Sequence, residues 1–61
     1  MMFKLVETIQ FPATDSEDVA EMVSIIVNSL HKCGVVHDGD RVHFDTHNFV
    51  VTIYIYRPQK R

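Results

Sequence analysis

The chain has 61 residues, of which 46% are hydrophobic and 23% are charged, and its net charge is −2. This length allows one domain, and the hydrophobic fraction is typical of a globular chain rather than a disordered one. The weak negative charge does not favour a basic nucleic-acid binder, and the single cysteine excludes an internal disulfide.

Stability is marginal for a domain of this length. About 60 residues bury only about 60% of the surface that the unfolded chain exposes. Small domains compensate with disulfides, metals or oligomerisation, and oligomerisation fits this composition best. The sequence has no apolar run of the roughly 18 residues that span a membrane and no signal-peptide pattern after Met1. With the lone thiol, these features predict a cytoplasmic protein, and no cofactor is expected.

The first predicted element is a strand over residues 3–11, which show period-2 alternation with Glu7 as the one exception. Pro12 ends this strand, because proline has no N–H to donate to a ladder. The apolar set expected on one face of the strand is Phe3, Leu5, Ile9 and Phe11.

A helix is predicted next, from about Ser16 to Cys33. Thr14 and Glu17 have the spacing of a capping box, and Asp15 is a rival N-cap. Gly34 stands where a left-handed residue ends many helices. The apolar stripe of the helix consists of Val19, Met22, Val23, Ile26, Leu30 and Cys33.

Two strands joined by a short polar connection follow a turn at Asp38-Gly39-Asp40. The first of them is predicted over residues 41–44, and residues 45–48 are predicted to be the connection. This arrangement puts Phe44 opposite Phe49.

The last strand is predicted to stop near Arg57, because Pro58 cannot continue the ladder. Residues 58–61 are expected to form a frayed tail. Residues 1–61 would then be a single α+β domain of the order strand, helix, strand, strand.

The last strand is hydrophobic on both of its faces, which predicts a central position. A right-handed first crossover makes the first two strands parallel, so the third fits between them and antiparallel to both. The predicted fold is a three-stranded sheet of order 1-3-2 with one helix on one face. The face that the helix leaves uncovered is expected to carry Met2, Lys4, Val6, Thr8, Arg41, His43, Val50, Thr52, Tyr54 and Tyr56.

This uncovered face is the main candidate site. An apolar and aromatic patch of this size on so small a protein predicts an interface. We therefore expect a small non-enzymatic binding or regulatory protein that acts as a homodimer or higher homo-oligomer, with an unidentified protein as a further partner. Accessory proteins of phages and mobile elements have this economy of size. The alternative is a nucleic-acid-binding module that uses the same face, with Lys4 and Arg41 beside the tyrosines.

The candidates for chemistry are weaker. His43, Asp45 and His47 would share a face in one continuous strand and could then hold a divalent metal, but the predicted turn at residues 45–48 would break this alignment. Cys33 and His37 could form a thiolate pair, although the position of Cys33 on the apolar stripe favours a core residue. No catalytic residue is predicted.

An acidic cluster at the start of the helix is a second candidate partner surface. Asp15, Glu17, Asp18 and Glu21 could dock on a basic partner. The same residues also suit the positive end of the helix dipole without any partner.

Overall fold

The computed structural model describes residues 2–13 and 19–59. Within them the chain forms β1 (Met2–Pro12), α1 (Val19–Lys32), β2 (Arg41–His47) and β3 (Val50–Gln59). The strand order is β1-β3-β2, and β3 pairs antiparallel with both neighbours. This confirms the predicted α+β fold and the central position of the last strand. No helix of the described ranges is long and apolar enough to cross a membrane.

The hydrophobic core lies between α1 and one face of the sheet, which we call the covered face. Three residues of β3 at alternate positions, Val51, Ile53 and Ile55, are 0% exposed. Val19 and Val23 of α1 are buried against them. Because alternate side chains of a strand point to one face, the core uses one half of the hydrophobic side chains of β3 and leaves the other half on the opposite face.

The end of α1 is a Schellman motif, as the position of Gly34 predicts. Gly34 has a φ of +83°, its N–H donates to the His31 carbonyl, and the Val35 N–H donates to the Leu30 carbonyl. These bonds satisfy carbonyls that the helix leaves without partners. The predicted start at Ser16 and the capping residues lie outside the described residues.

The loop from α1 to β2 is held by an ion pair. Asp40 and Arg57 form hydrogen bonds of 2.8 to 3.2 Å through both carboxylate oxygens. Arg57 also donates to the Val35 carbonyl at 2.9 Å, and the His37 N–H donates to Asp40. The hydrogen bonds from Arg57, and then the one from His37, hold the pKa of Asp40 at about 2, below its usual 3.8. This bidentate pair fixes the point at which β2 begins.

The β2–β3 hairpin differs from the prediction. β2 continues to His47, which pairs with Val50, and the turn consists of Asn48 and Phe49. Both turn residues have positive φ, 52° and 63°. A two-residue turn with positive φ matches the twist of the flanking strands. The pairing that this match allows outweighs the strain of a bulky phenylalanine at positive φ. The predicted connection at residues 45–48 is therefore wrong.

The register of the hairpin changes with the turn. Phe44 lies opposite Ile53 rather than Phe49, and Val42 lies opposite Ile55 rather than Val51. Both shifts are of four residues, an even number, so each residue keeps its predicted face.

A β-bulge in β1 reverses the faces of the first half of this strand. Leu5 lies opposite Tyr56 and Glu7 lies opposite Ile55, so Val6 has no cross-strand partner. Directly opposite residues share a face of the sheet. The extra residue therefore shifts the alternation by one, as a bulge does.

Two predictions about the strand faces and ends are corrected as a result. Phe3 and Leu5 do not share the covered face with Ile9 and Phe11, because the bulge stands between the two pairs. At the other end of the sheet, β3 does not stop before Pro58 but continues to Gln59. Pro58 lies opposite Phe3 of β1, and β2 ends its pairing at Tyr56, so this part of β3 has only one neighbouring strand, as prolines in sheets require.

Candidate functional site

The face of the sheet opposite α1, which we call the open face, is built from four rows of directly opposite residues. In the part of the chain that the structure describes, no element packs against it. The first row is Leu5, Tyr56 and Arg41; the second is Thr8, Tyr54 and His43; the third is Gln10, Thr52 and Asp45; the fourth is Pro12, Val50 and His47. Phe3, opposite Pro58, extends the face beyond the first row.

Aromatic and cationic groups are in contact on the first two rows. The guanidinium of Arg41 lies 4.5 Å from the centre of the Phe3 ring. The His43 and Tyr54 rings are stacked, with their centres 6.1 Å apart and an angle of 27° between their planes. These contacts order the side chains before any partner arrives, which lowers the entropy lost on binding.

The exposure of the open face matches an interface better than a solvated polar surface. Leu5 is 44% exposed and Val50 is 38% exposed, while Tyr54 and Tyr56 are half-buried by their neighbours in the sheet. Apolar groups therefore remain accessible at both ends of the face. Such a patch favours association, since burial of apolar area is the main driving force of protein contacts.

Seven of the ten residues predicted for the uncovered face lie on the open face, and the bulge explains the other three. Lys4 lies opposite Arg57, which places it on the same side of the sheet as α1, and Met2 pairs with Gln59 at the end of the sheet. Val6 occupies the bulge without a partner. The seven that lie on the open face are Thr8, Arg41, His43, Val50, Thr52, Tyr54 and Tyr56.

Sequence reasoning missed two apolar residues of this face, Phe3 and Leu5. They alternate in phase with Ile9 and Phe11 if the strand is regular, and no glycine marks the bulge between them. The one available signal is Glu7, the charged residue that interrupts the apolar set next to the bulge.

The metal candidates share the open face of β2, because the strand does not turn at Asp45. His43, Asp45 and His47 stand at alternate positions of β2, so about 7 Å separates neighbours and about 13 Å separates the two histidines. Among the described residues, no group of three His, Cys, Asp or Glu side chains could hold one metal ion. A single straight strand spaces these ligands too widely to share a cation.

The remaining candidates do not form a site in the described residues. Cys33 is exposed after the end of α1 rather than buried in the core, which corrects the prediction from the apolar stripe. Of the acidic cluster, Glu21 lies exposed in the first turn of α1. Asp15, Glu17 and Asp18 lie outside the described residues, so a partner surface there stays a prediction.

Comparisons with protein-family models, with curated proteins and with solved structures find no match to this chain.

Proposed function

We propose that this chain is a small non-enzymatic binding protein whose working form is a homodimer joined through the open face. The observation that supports this proposal is the two-sided hydrophobicity of β3. One side, Val51, Ile53 and Ile55, is fully buried under α1. The other side carries the two tyrosines and Val50 on an accessible face.

The edges of the sheet are less suited to self-association than its face. In β1 the Thr8 N–H is engaged by the Glu7 carboxylate at 3.2 Å, and in β2 the Thr46 N–H is engaged by the Asp45 carboxylate at 2.9 Å. Charged side chains, a bulge and a proline are the usual means by which edge strands avoid pairing with other chains. These features favour stacking of the faces over extension of the sheet.

The size of the open face predicts a modest affinity. Three strands about 4.8 Å apart and rows about 7 Å apart outline about 14 Å by about 27 Å, or about 400 Å² per chain. Stable interfaces bury about 800 Å² per partner, and smaller ones belong to transient complexes. We therefore expect the dimer to dissociate in the micromolar range.

The test is the molar mass in solution, measured by sedimentation equilibrium from sub-micromolar to sub-millimolar protein. We expect the wild type to dimerise, and Tyr54→Glu and Leu5→Glu to remain monomeric at all concentrations. Ile25→Glu is the matched control, since Ile25 is 58% exposed on α1, on the far side of the molecule from the open face. Circular dichroism of each variant verifies folding. A folded wild type that stays monomeric throughout would refute the proposal.

A second candidate is single-stranded nucleic-acid binding on the same face. The observation in its favour is the Arg41 guanidinium beside Phe3 and two tyrosines, since such groups stack on bases. Lys4, however, is on the other side of the sheet, and Asp45 adds a negative charge to the open face. This function would be favoured over dimerisation if the wild type stays monomeric and binds a labelled oligonucleotide in a salt-sensitive way. The binding should then be lost in Tyr54→Glu.

A further inference from the structure

The open face carries two opposite charges at equal distances from its second row. Arg41 and Asp45 both belong to β2, and His43 lies midway between them. Among the described residues, neither Arg41 nor Asp45 is in an ion pair. One oxygen of Asp45 accepts the Thr46 N–H, which leaves its second oxygen for another donor.

Building on the proposed homodimer, we propose that its two open faces stack with antiparallel β2 strands, so that each Arg41 pairs with the partner's Asp45. The two-fold axis would run along the second row, through Thr8, Tyr54 and His43. It lies between the sheets and at right angles to the strands.

The geometry of a two-fold axis produces both ion pairs at once. Rotation about this axis reverses the strand direction but leaves each strand above its own copy, so the first row of one chain lies over the third row of the other. Arg41 and Asp45 are each two residues, about 7 Å, from His43. Arg41 of one chain therefore lies over the partner's Asp45, and Asp45 lies over the partner's Arg41. The faces of stacked sheets are about 10 Å apart, a distance that an arginine and an aspartate together can span. The usual rotation of about 30° between stacked sheets displaces positions about 7 Å from its centre by about 4 Å.

The other two-fold arrangement leaves these charges without partners. An axis parallel to the strands would keep each row over its own copy and place β2 over β1. Arg41 would then face the partner's Leu5, and Asp45 would face the partner's Gln10. Because removing an unpaired charge from water is costly, charge complementarity favours the antiparallel arrangement.

Reciprocal charge reversal tests this geometry. We expect Arg41→Asp and Asp45→Arg each to raise the dimer dissociation constant by about tenfold or more, since two attractive pairs become two like-charge contacts. An equimolar mixture of the two variants should associate as a heterodimer, in which every introduced charge meets an opposite one. The double variant R41D/D45R should dimerise within about threefold of the wild type. Mass and composition follow from sedimentation of the mixture with one component fluorescently labelled.

The two proposals fail in different ways. If Leu5→Glu dissociates the dimer but the single charge reversals and their mixture behave like the wild type, the open face is the interface and the proposed orientation is wrong. The orientation is also wrong if both single variants are monomeric and neither the mixture nor the double variant recovers. Each single variant also loses a contact within its own chain, either that of Arg41 with Phe3 or that of Asp45 with Thr46. Mixing the variants does not restore these contacts, so their loss cannot explain a dimer that recovers on mixing. A monomeric wild type refutes the homodimer itself.

Discussion

Truncation of Ile53 to alanine tests the core on which the whole molecule depends. Ile53 is 0% exposed and lies opposite Ile9 in β1 and Phe44 in β2, at the centre of the covered face. The substitution removes three carbon groups at about 0.8 kcal/mol each, or about 2.4 kcal/mol of transfer free energy. A residual cavity of about 60 Å³ adds about 1.5 kcal/mol. The expected loss in the free energy of unfolding is therefore about 4 kcal/mol.

This loss is large relative to the stability of so short a chain. At about 0.05 to 0.15 kcal/mol per residue, 61 residues give a total of about 3 to 9 kcal/mol. Ile53→Ala should therefore keep about −1 to 5 kcal/mol, so we expect it to unfold at a much lower urea concentration than the wild type, or to be unfolded without urea if the wild type lies at the low end of this range. Ile53→Val should fold and lose about 1 kcal/mol.

The assay is urea unfolding followed by circular dichroism at one fixed protein concentration, because dimerisation adds a concentration-dependent term to stability. Thr52→Ala is the matched control, since Thr52 is the neighbouring residue on the open face. A loss below about 1.5 kcal/mol for Ile53→Ala, or a loss as large for Thr52→Ala, would refute the distinction between a dry covered face and an accessible open face.

Three further predictions concern the turn, the ion pair and the bulge. Phe49→Gly should be about 1 kcal/mol more stable than Phe49→Ala in urea unfolding, because only glycine adopts a φ of 63° without strain. Both variants lose the same ring, which is 75% exposed, so the comparison isolates the backbone effect. Equal stabilities would mean that the turn is not left-handed. The wild type should lose stability as pH falls from about 4 towards about 2, because the lowered pKa of Asp40 stabilises the fold only while its carboxylate is ionised. Acid titration by circular dichroism should show a shallower decline over this window in Asp40→Asn, and an unchanged slope would contradict the role of the pair with Arg57. Deletion of Val6 should make β1 a regular strand in which Glu7 still lies opposite Ile55 and Leu5 still lies opposite Tyr56 on the open face, so the variant should dimerise like the wild type in sedimentation. A folded variant that stays monomeric would contradict the assignment of Val6 as the extra residue.

The sequence was sufficient for the elements whose signals are local. Gly34 follows an amphipathic stretch, and it ends α1 in the left-handed conformation that this position requires. The last strand has large side chains on both faces, and a strand with two hydrophobic faces is stable only at the centre of a sheet. Strand order and fold class followed from these two features and the handedness of the crossover. The open face was predicted as a site for the same reason, and the six residues predicted for it on β2 and β3 lie where the pattern placed them.

Tertiary structure decided what local pattern could not. The turn at Asn48 and Phe49 was unexpected, since a bulky residue disfavours positive φ and only the pairing of ten-residue β3 with β2 compensates for it. The ion pair of Asp40 with Arg57 joins residues 17 positions apart, and nothing in the sequence links them until the sheet brings them together. The bulge at Val6 had the largest consequence, because one extra residue in a period-2 pattern moves every earlier side chain to the other face. The alternation in a sequence determines which residues of a regular strand share a face. The position of a β-bulge, however, depends on how the strand pairs with its neighbour.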